Sequence, residues 1–307
     1  MKKLVVALDG PAGAGKSTIA KAVAEKINYA YIDTGAMYRA VTWKFVQTGH
    51  AFEEEFIGDL SEKMVIEFQP RDGVNHVFAD GVEITDFIRT PEISKLVSPL
   101  SAIPRVRLAM VAQQRRMGEK GGVILDGRDI GTVVFPKAEL KIFLTASVDE
   151  RAQRRYKEML AKGIDVQLDV VKTEIAQRDY QDSHRAVSPL KQAEDAILLD
   201  STGKSIDQVA DFIIKKIEEK ADDAFLLSEF QIKVDDARRS FFEICKKVSA
   251  ENVHSAEGHF LVAFVDFVYP FVAFFGFVFP SDELMVLVEE ELARGLPILC
   301  QKPSIVF

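Results

Sequence analysis

The chain has 307 residues, of which 48% are hydrophobic, 28% charged and 9% aromatic, so it can bury a sizeable core. That balance excludes a disordered, collagen-like or disulfide-stapled chain. A formal charge of −8 gives no global attraction for nucleic acid or anionic lipid and leaves room only for a local basic cleft.

In chain order, Met1-Lys2-Lys3 is basic, but the apolar run Leu4 to Leu8 stops at Asp9-Gly10, too short for the core of a signal peptide. Leu4–Leu8, Tyr29–Ile32, Val123–Leu125, Lys141–Leu144 and Ala196–Leu199 read as strands buried on both faces. Lys16–Ile27, Met37–Gln47, Pro104–Arg116, Asp149–Leu160, Val166–Gln181 and Ile206–Glu219 read as helices between them. This alternation predicts an α/β domain with a parallel sheet flanked by helices. Residues 64–84 break the rhythm. Val65-Ile66-Glu67-Phe68, His76-Val77-Phe78 and Val82-Glu83 are separated by the turn sequences Arg71-Asp72-Gly73 and Asp80-Gly81, which predicts a small antiparallel insertion.

Composition changes near Lys220-Ala221-Asp222-Asp223. Residues 221–307 hold 13 of the 22 phenylalanines and carry 7 basic against 14 acidic side chains, whereas residues 1–220 are nearly neutral. Two units are expected, 1–220 and a Phe-rich acidic extension, 221–307. Cys245 and Cys300 both lie in the second and form no framework or metal spacing, so a reduced, cytoplasmic protein is expected.

Gly10-Pro11-Ala12-Gly13-Ala14-Gly15-Lys16-Ser17 fits the pattern of a glycine, four residues, then Gly-Lys-Ser/Thr, with a strand before it and a helix from Thr18 after it. Such a loop converges backbone amides on phosphate oxygens, and the helix adds its positive end. Lys16 can neutralise the outer phosphates of ATP, and Ser17 offers a hydroxyl to Mg²⁺. Gly203-Lys204-Ser205 repeats the last three letters, but Leu198 stands where the first glycine belongs, so Ser205 reads as a helix N-cap. The guanine-reading Asn-Lys-x-Asp pattern of GTPases is absent.

Residues that end strands of an open α/β sheet face the ligand crevice. Asp33-Thr34-Gly35-Ala36-Met37-Tyr38-Arg39 and Asp126-Gly127-Arg128-Asp129 stand there. Arg39 and Arg128 can each fork onto a phosphate, and Asp126 can hold Mg²⁺ through water. Taken singly, each arginine reads first as a surface ion pair, but their joint appearance at strand ends weighs against that reading. Arg151, Arg154 and Arg155 share one helical face, and so do Arg178, Asp182 and Arg185. These sets read either as solvated faces or as arginines supplied in cis to a phosphoryl-transfer site. The five histidines show no metal spacing.

Together these stretches resemble the bacterial cytidylate kinases over residues 2–220. The likeness rests on the run Asp9 to Thr18, the run Asp33 to Arg39, and Phe87-Ile88-Arg89-Thr90-Pro91-Glu92-Ile93. It also rests on Pro104-Arg105-Val106-Arg107, on Asp126 through Pro136, and on Arg178-Asp179 through Arg185-Ala186-Val187-Ser188-Pro189-Leu190. The resemblance implies a P-loop nucleoside monophosphate kinase fold in which residues 60–95 form a monophosphate-binding insertion and residues 149–182 an arginine-bearing lid. It implies Mg²⁺-dependent transfer of the ATP γ-phosphoryl group to CMP or dCMP. By motif position, Thr34, Ser98, Arg107 and Asp129 would read cytosine; Arg39, Arg128 and Arg185 would hold the acceptor phosphate; Arg178 and Asp182 would reach the ribose. Lys16, Arg128, Arg151, Arg154, Arg155 and Arg178 would carry the transfer. A monomer acting on small molecules, without nucleic acid, is expected. Kinases of UMP or AMP and a catalytically silent nucleotide-binding module are the competing readings.

The extension resembles no family. His259 to Pro280 is apolar and long enough at about 1.5 Å per residue to span a bilayer, but Asp266 and Pro270 interrupt it. An appended folded module, a read-through or frameshifted extension and a membrane anchor all stay open.

Overall fold

The computed structural model describes residues 3–71, 74–161 and 163–222. The expectations for 221–307 therefore fall, but for two residues, outside the described part of the chain.

Five parallel strands form the main sheet: β1 (Val5–Asp9), β2 (Ala30–Asp33), β6 (Val123–Gly127), β7 (Leu140–Thr145) and β8 (Ile197–Asp200), in the order β2-β6-β1-β7-β8. Helices α1 (Lys16–Ile27), α2 (Thr34–Thr48), α5 (Pro104–Gly118), α6 (Val148–Ala161) and α7 (Leu168–His184) connect or flank them, with a last helix, α8, over 206–222. The predicted strands and helices all form. Successive strand residues point to opposite faces, which gives the sheet two cores. Ala7, Ile32 and Leu125 pack with Met37, Val41, Val106 and Met110 on one face. Val6, Leu8, Ile124 and Ile142 pack with Ile19, Val23, Val209 and Ile213 on the other. Each of these fully buried Val, Leu, Ile and Met side chains contributes about 1.5–3 kcal/mol.

The predicted insertion is a three-stranded antiparallel sheet, β3 (Ile66–Arg71), β4 (Val74–Ala79) and β5 (Val82–Glu83). Ala79 pairs with Val82 around Asp80-Gly81, whose φ values of 50° and 79° are the left-handed pair that a two-residue hairpin demands.

Three helical elements have no counterpart in the sequence reading. Helix α3 (Glu54–Lys63) starts at Glu53, which makes no side-chain cap, so no start signal marks it. Helix α4 (Pro91–Ser101) carries Pro99 within it, a residue that argues against a helix. Ile130–Val134 is a single π-helical turn, a form without a sequence signature. Ser205 does cap α8: its hydroxyl accepts the Gln208 N–H at 3.2 Å and the Gln208 carboxamide accepts the Ser205 N–H at 2.9 Å.

Register sets up the site. Asp9 lies beside Gly127, and Asp33 beside Asp126, so β1, β2 and β6 bring three carboxylates to one edge of the sheet.

Candidate active site

The loop 10–15 leaves the end of β1 and enters α1 at Lys16. Gly10 has φ +148°, and a Cβ there would sit 1.9 Å from the Leu144 carbonyl oxygen of β7. Gly10→Ala is therefore expected to displace the loop and cost about 3 kcal/mol or more, which a lowered denaturation midpoint would register. Lys16 is buried and its Nζ donates to the Pro11 carbonyl at 2.8 Å. Burial, then the neighbouring Arg128, pushes its ammonium well below the ordinary lysine range, with Asp126 and Asp9 pulling against them. A cation held ready in a dry loop is a strong phosphate ligand.

Ser17 donates its hydroxyl to Asp126 Oδ2 at 2.7 Å, and Tyr31 donates to Oδ1 at 3.0 Å. Burial and the nearby Asp33 push the Asp126 carboxyl up to about 6. A desolvated carboxylate touching a hydroxyl is the pair of hard oxygens that suits Mg²⁺. Thr18 is exposed.

Across the crevice, Arg107 and Asp129 form a buried ion pair at 2.5 Å, with side-chain exposures of 2% and 5%. Arg107 also donates to the Ser101 carbonyl at 3.1 Å and stacks over the Tyr38 ring, 5.2 Å from its centroid. Arg185 stands 3.6 Å from the other Asp129 oxygen and donates to the Ser188 carbonyl at 2.6 Å. Thr34 donates to the Asp126 carbonyl at 2.6 Å, which leaves its oxygen free to accept. Ser98 is half-buried on α4, its carbonyl taken by the Ser101 hydroxyl.

Between loop and ion pair stand the remaining arginines. Arg39 donates to the Ile88 carbonyl at 3.3 Å and to Ser94 Oγ at 2.9 Å. Burial, with Arg178 and Arg89 close by, lowers it to about 10. Arg128 donates to Asp182 Oδ2 at 2.9 Å. Arg178 has a buried Nε without a hydrogen-bond partner, and burial and Arg128 lower its guanidinium. Cations that repel one another and keep unsatisfied donors gain only when an anion arrives between them.

Helix α6 brings further arginines to the loop. Arg151 is buried and donates to the Ala12 carbonyl at 3.0 Å; Arg154 donates to the Ala14 carbonyl at 3.4 Å and to the Ser201 carbonyl at 2.9 Å. Arg155 does not join them. It pairs with Glu158 at 3.0 Å on a half-exposed face, although it still repels Arg39 and Arg178. A helical wheel puts the three arginines together, but the loop meets only the first two.

The family model for cytidylate kinase matches residues 6–219. The chain belongs to the cytidylate kinase family. It is 51% identical over 221 residues to the cytidylate kinase of Ligilactobacillus salivarius (strain UCC118), covering 72% of this chain and 99% of that one. With the cytidylate kinase of Lactococcus lactis subsp. lactis (strain IL1403) it shares 52% over 219 residues, covering 71% and 99%. The cytidylate kinase of Streptococcus thermophilus (strain CNRZ 1066) is 51% identical over 224 residues, with 72% and 99% covered.

This kinase has site residues that motif reading did not single out. Asp9 accepts the Ile130 and Gly131 amides at 2.8 and 2.7 Å, anchoring the π turn that follows Asp129; burial pushes its carboxyl up to about 6. Asp33 caps α2 through the Ala36 amide at 2.8 Å and pairs with Arg89 at 2.7 Å. Asp9, Asp33 and Arg89 lie inside the family-like runs Asp9 to Thr18, Asp33 to Arg39 and Phe87 to Ile93, which is their signal in the sequence. Tyr31 and Ser94 had none. Among the described residues no group of three His, Cys, Asp or Glu side chains forms a metal cage.

Proposed function

We propose that this kinase transfers the γ-phosphoryl group of ATP to CMP or dCMP, giving ADP and CDP or dCDP. The observation that carries the reading is the buried Arg107–Asp129 pair, linked through Arg185, Asp182 and Arg128 to Lys16. Cytosine offers an exocyclic amine that Asp129 accepts, and its O2 and N3 accept from Arg107 and from hydroxyls such as Ser98; Thr34 adds an acceptor. Uracil reverses the polarity at that edge and leaves buried groups unpaired, a mismatch that discriminates strongly. Arg39, Arg128 and Arg185 hold the acceptor phosphate, and Arg178 and Asp182 meet the ribose.

On the donor side the loop 10–18 wraps the ATP phosphates with the amides of 13–18, since Pro11 has no N–H and Asp179 takes that of Ala12, while Lys16 tracks the oxygen whose charge grows. Ser17 and Asp126 would hold Mg²⁺, which would supply charge neutralisation for the ATP phosphates. The separated arginines Arg128, Arg178 and Arg151 face the charge that spreads over the equatorial oxygens, and they cost no reorganisation because the fold already holds them. Arg154 belongs to the lid and Arg155 joins it on leaving Glu158; the closed lid excludes water and so limits loss of the phosphoryl group to hydrolysis. Among the described residues no helix is long and apolar enough to cross a membrane. A cytoplasmic monomer meeting diffusible nucleotides is part of this proposal.

The test is ADP release by the full-length chain with ATP, Mg²⁺ and each of CMP, dCMP, UMP and AMP. The expected ranking places CMP and dCMP above UMP and AMP by about 10²-fold or more in kcat/KM. Equal rates on UMP or AMP would defeat the base reading, and ATP binding without turnover on any acceptor would favour a silent module.

A further inference from the structure

One carboxylate in contact with the phosphate loop has no part in the account above. Asp179 follows Arg178 on α7 and is a half-buried residue. Its Oδ1 accepts the Ala12 N–H at 3.1 Å, across 167 residues of sequence. Its other oxygen pairs with Arg151, whose guanidinium also donates to the Ala12 carbonyl at 3.0 Å and, through Nε, to the Ala146 carbonyl at 3.0 Å. Both backbone groups of Ala12 are thus held by side chains from α6 and α7.

The Ala12 N–H belongs to the same peptide unit as the Pro11 carbonyl, and that carbonyl accepts from Lys16 Nζ at 2.8 Å. In a trans peptide the N–H and C=O point in opposite directions. Asp179 therefore stands on one side of this amide and Lys16 on the other. A negative charge at the N–H end and a positive one at the oxygen end polarise the amide in the same sense, and chained hydrogen bonds of this kind reinforce one another. Turning the peptide to satisfy another N–H partner would swing the oxygen away from the ammonium. Steric pressure closes the remaining route: a Cβ placed on Gly13 would lie 3.2 Å from Arg151 Cβ, so the loop already runs against α6.

We propose that Asp179 is a positioning residue for phosphoryl transfer, which acts through the Pro11–Ala12 peptide to fix where the Lys16 ammonium sits. The proposal rests on the kinase reading above. It differs from a purely structural anchor of the lid helices in what it predicts. An anchor that helps the lid close over bound nucleotide acts on ground-state affinity and raises KM for ATP. A residue that sets the place of Lys16 acts in the transition state and lowers kcat.

The experiment is steady-state kinetics on the full-length chain with ATP, Mg²⁺ and CMP, using Asp179→Ala, Asp179→Asn, Lys16→Ala and the two doubles. Wild-type turnover is measured first; its absence overturns the kinase reading and is distinct from a failure of this inference. For Asp179→Ala the expected result is a kcat lower by about 10²-fold, the scale of a misplaced catalytic group. KM for both nucleotides should stay within about threefold. Asp179→Asn keeps an oxygen for the Ala12 N–H and should lose less, about tenfold. In the Lys16→Ala background either substitution should cost almost nothing, because coupled residues are non-additive. Where Asp179→Ala lowers the thermal midpoint below the assay temperature, the Asn variant carries the same cycle. A kcat within about twofold of wild type, a loss confined to KM for ATP, or effects that multiply with Lys16→Ala would each overturn the proposal.

Discussion

Lys16→Ala is expected to lower kcat by about 10³-fold with CMP as acceptor while leaving the fold in place. The ammonium is buried against a loop with no charged side chain of its own, where Asp126 and Asp9 attract it. Arg128 and Arg178 repel it, and its hydrogen bond to the Pro11 carbonyl is its one contact within the loop. Removing it relieves the repulsion from the arginines, forfeits the attraction of the two carboxylates and deletes one hydrogen bond, changes that partly cancel. The expected stability change is below about 1 kcal/mol, or about 2–4 °C in Tm for a domain of this size. What disappears is the charge that meets the β- and γ-phosphate oxygens in the transition state. Parallel measurement of ADP formation and thermal unfolding checks both halves. A variant that keeps more than about a tenth of wild-type kcat would remove Lys16 from the mechanism.

The second large effect is on selectivity. Asp129→Ala removes one partner of a pair in which Arg107 is 1% exposed, and a buried cation left alone costs about 3–5 kcal/mol. Selectivity measured on that variant would be confounded by instability, so Asp129→Asn is the cleaner probe. Its carboxamide still offers an oxygen to Arg107, or its NH₂ group can turn to donate to the carbonyl oxygen that uracil presents where cytosine carries an amine. The ratio of kcat/KM for CMP over UMP is expected to fall by about 10²-fold or more. An unchanged ratio in a folded Asn variant removes Asp129 from base recognition. Asp129→Ala should in addition lower the denaturation midpoint markedly, and the Asn variant should lower it less.

The features legible in the sequence share one property: the interacting residues are close along the chain or repeat a fixed period. The glycines of 10–15 announce the loop because the backbone must turn tightly and approach phosphate. Val6 and Leu8 against Ala7 announce a strand buried on both faces. Asp80-Gly81 announces the hairpin, and Ser205 with Gln208 announces the cap of α8. The features that escaped join distant segments. Asp9 holds the π turn at Ile130 from 121 residues away, and Asp179 reaches Ala12 from 167. No periodicity can pair such residues. Helical spacing also grouped Arg155 with Arg151 and Arg154, but spacing fixes only the azimuth of a side chain. The neighbouring Glu158 then drew Arg155 toward the surface. Helix α4 hid behind Pro99, whose local preference the packing of Ile93, Val97 and Leu100 in the core overrode.

The defining event is where the phosphoryl group goes. The decisive measurement is transfer of the γ-phosphoryl group from γ-labelled ATP in the presence of Mg²⁺ and CMP, with the products separated by ion-exchange chromatography. The predicted result is label in the β-position of CDP, in equal amount to the ADP formed, and little label in inorganic phosphate. Label appearing in inorganic phosphate alone, or in UDP when UMP is offered at the same rate as CMP, would contradict it.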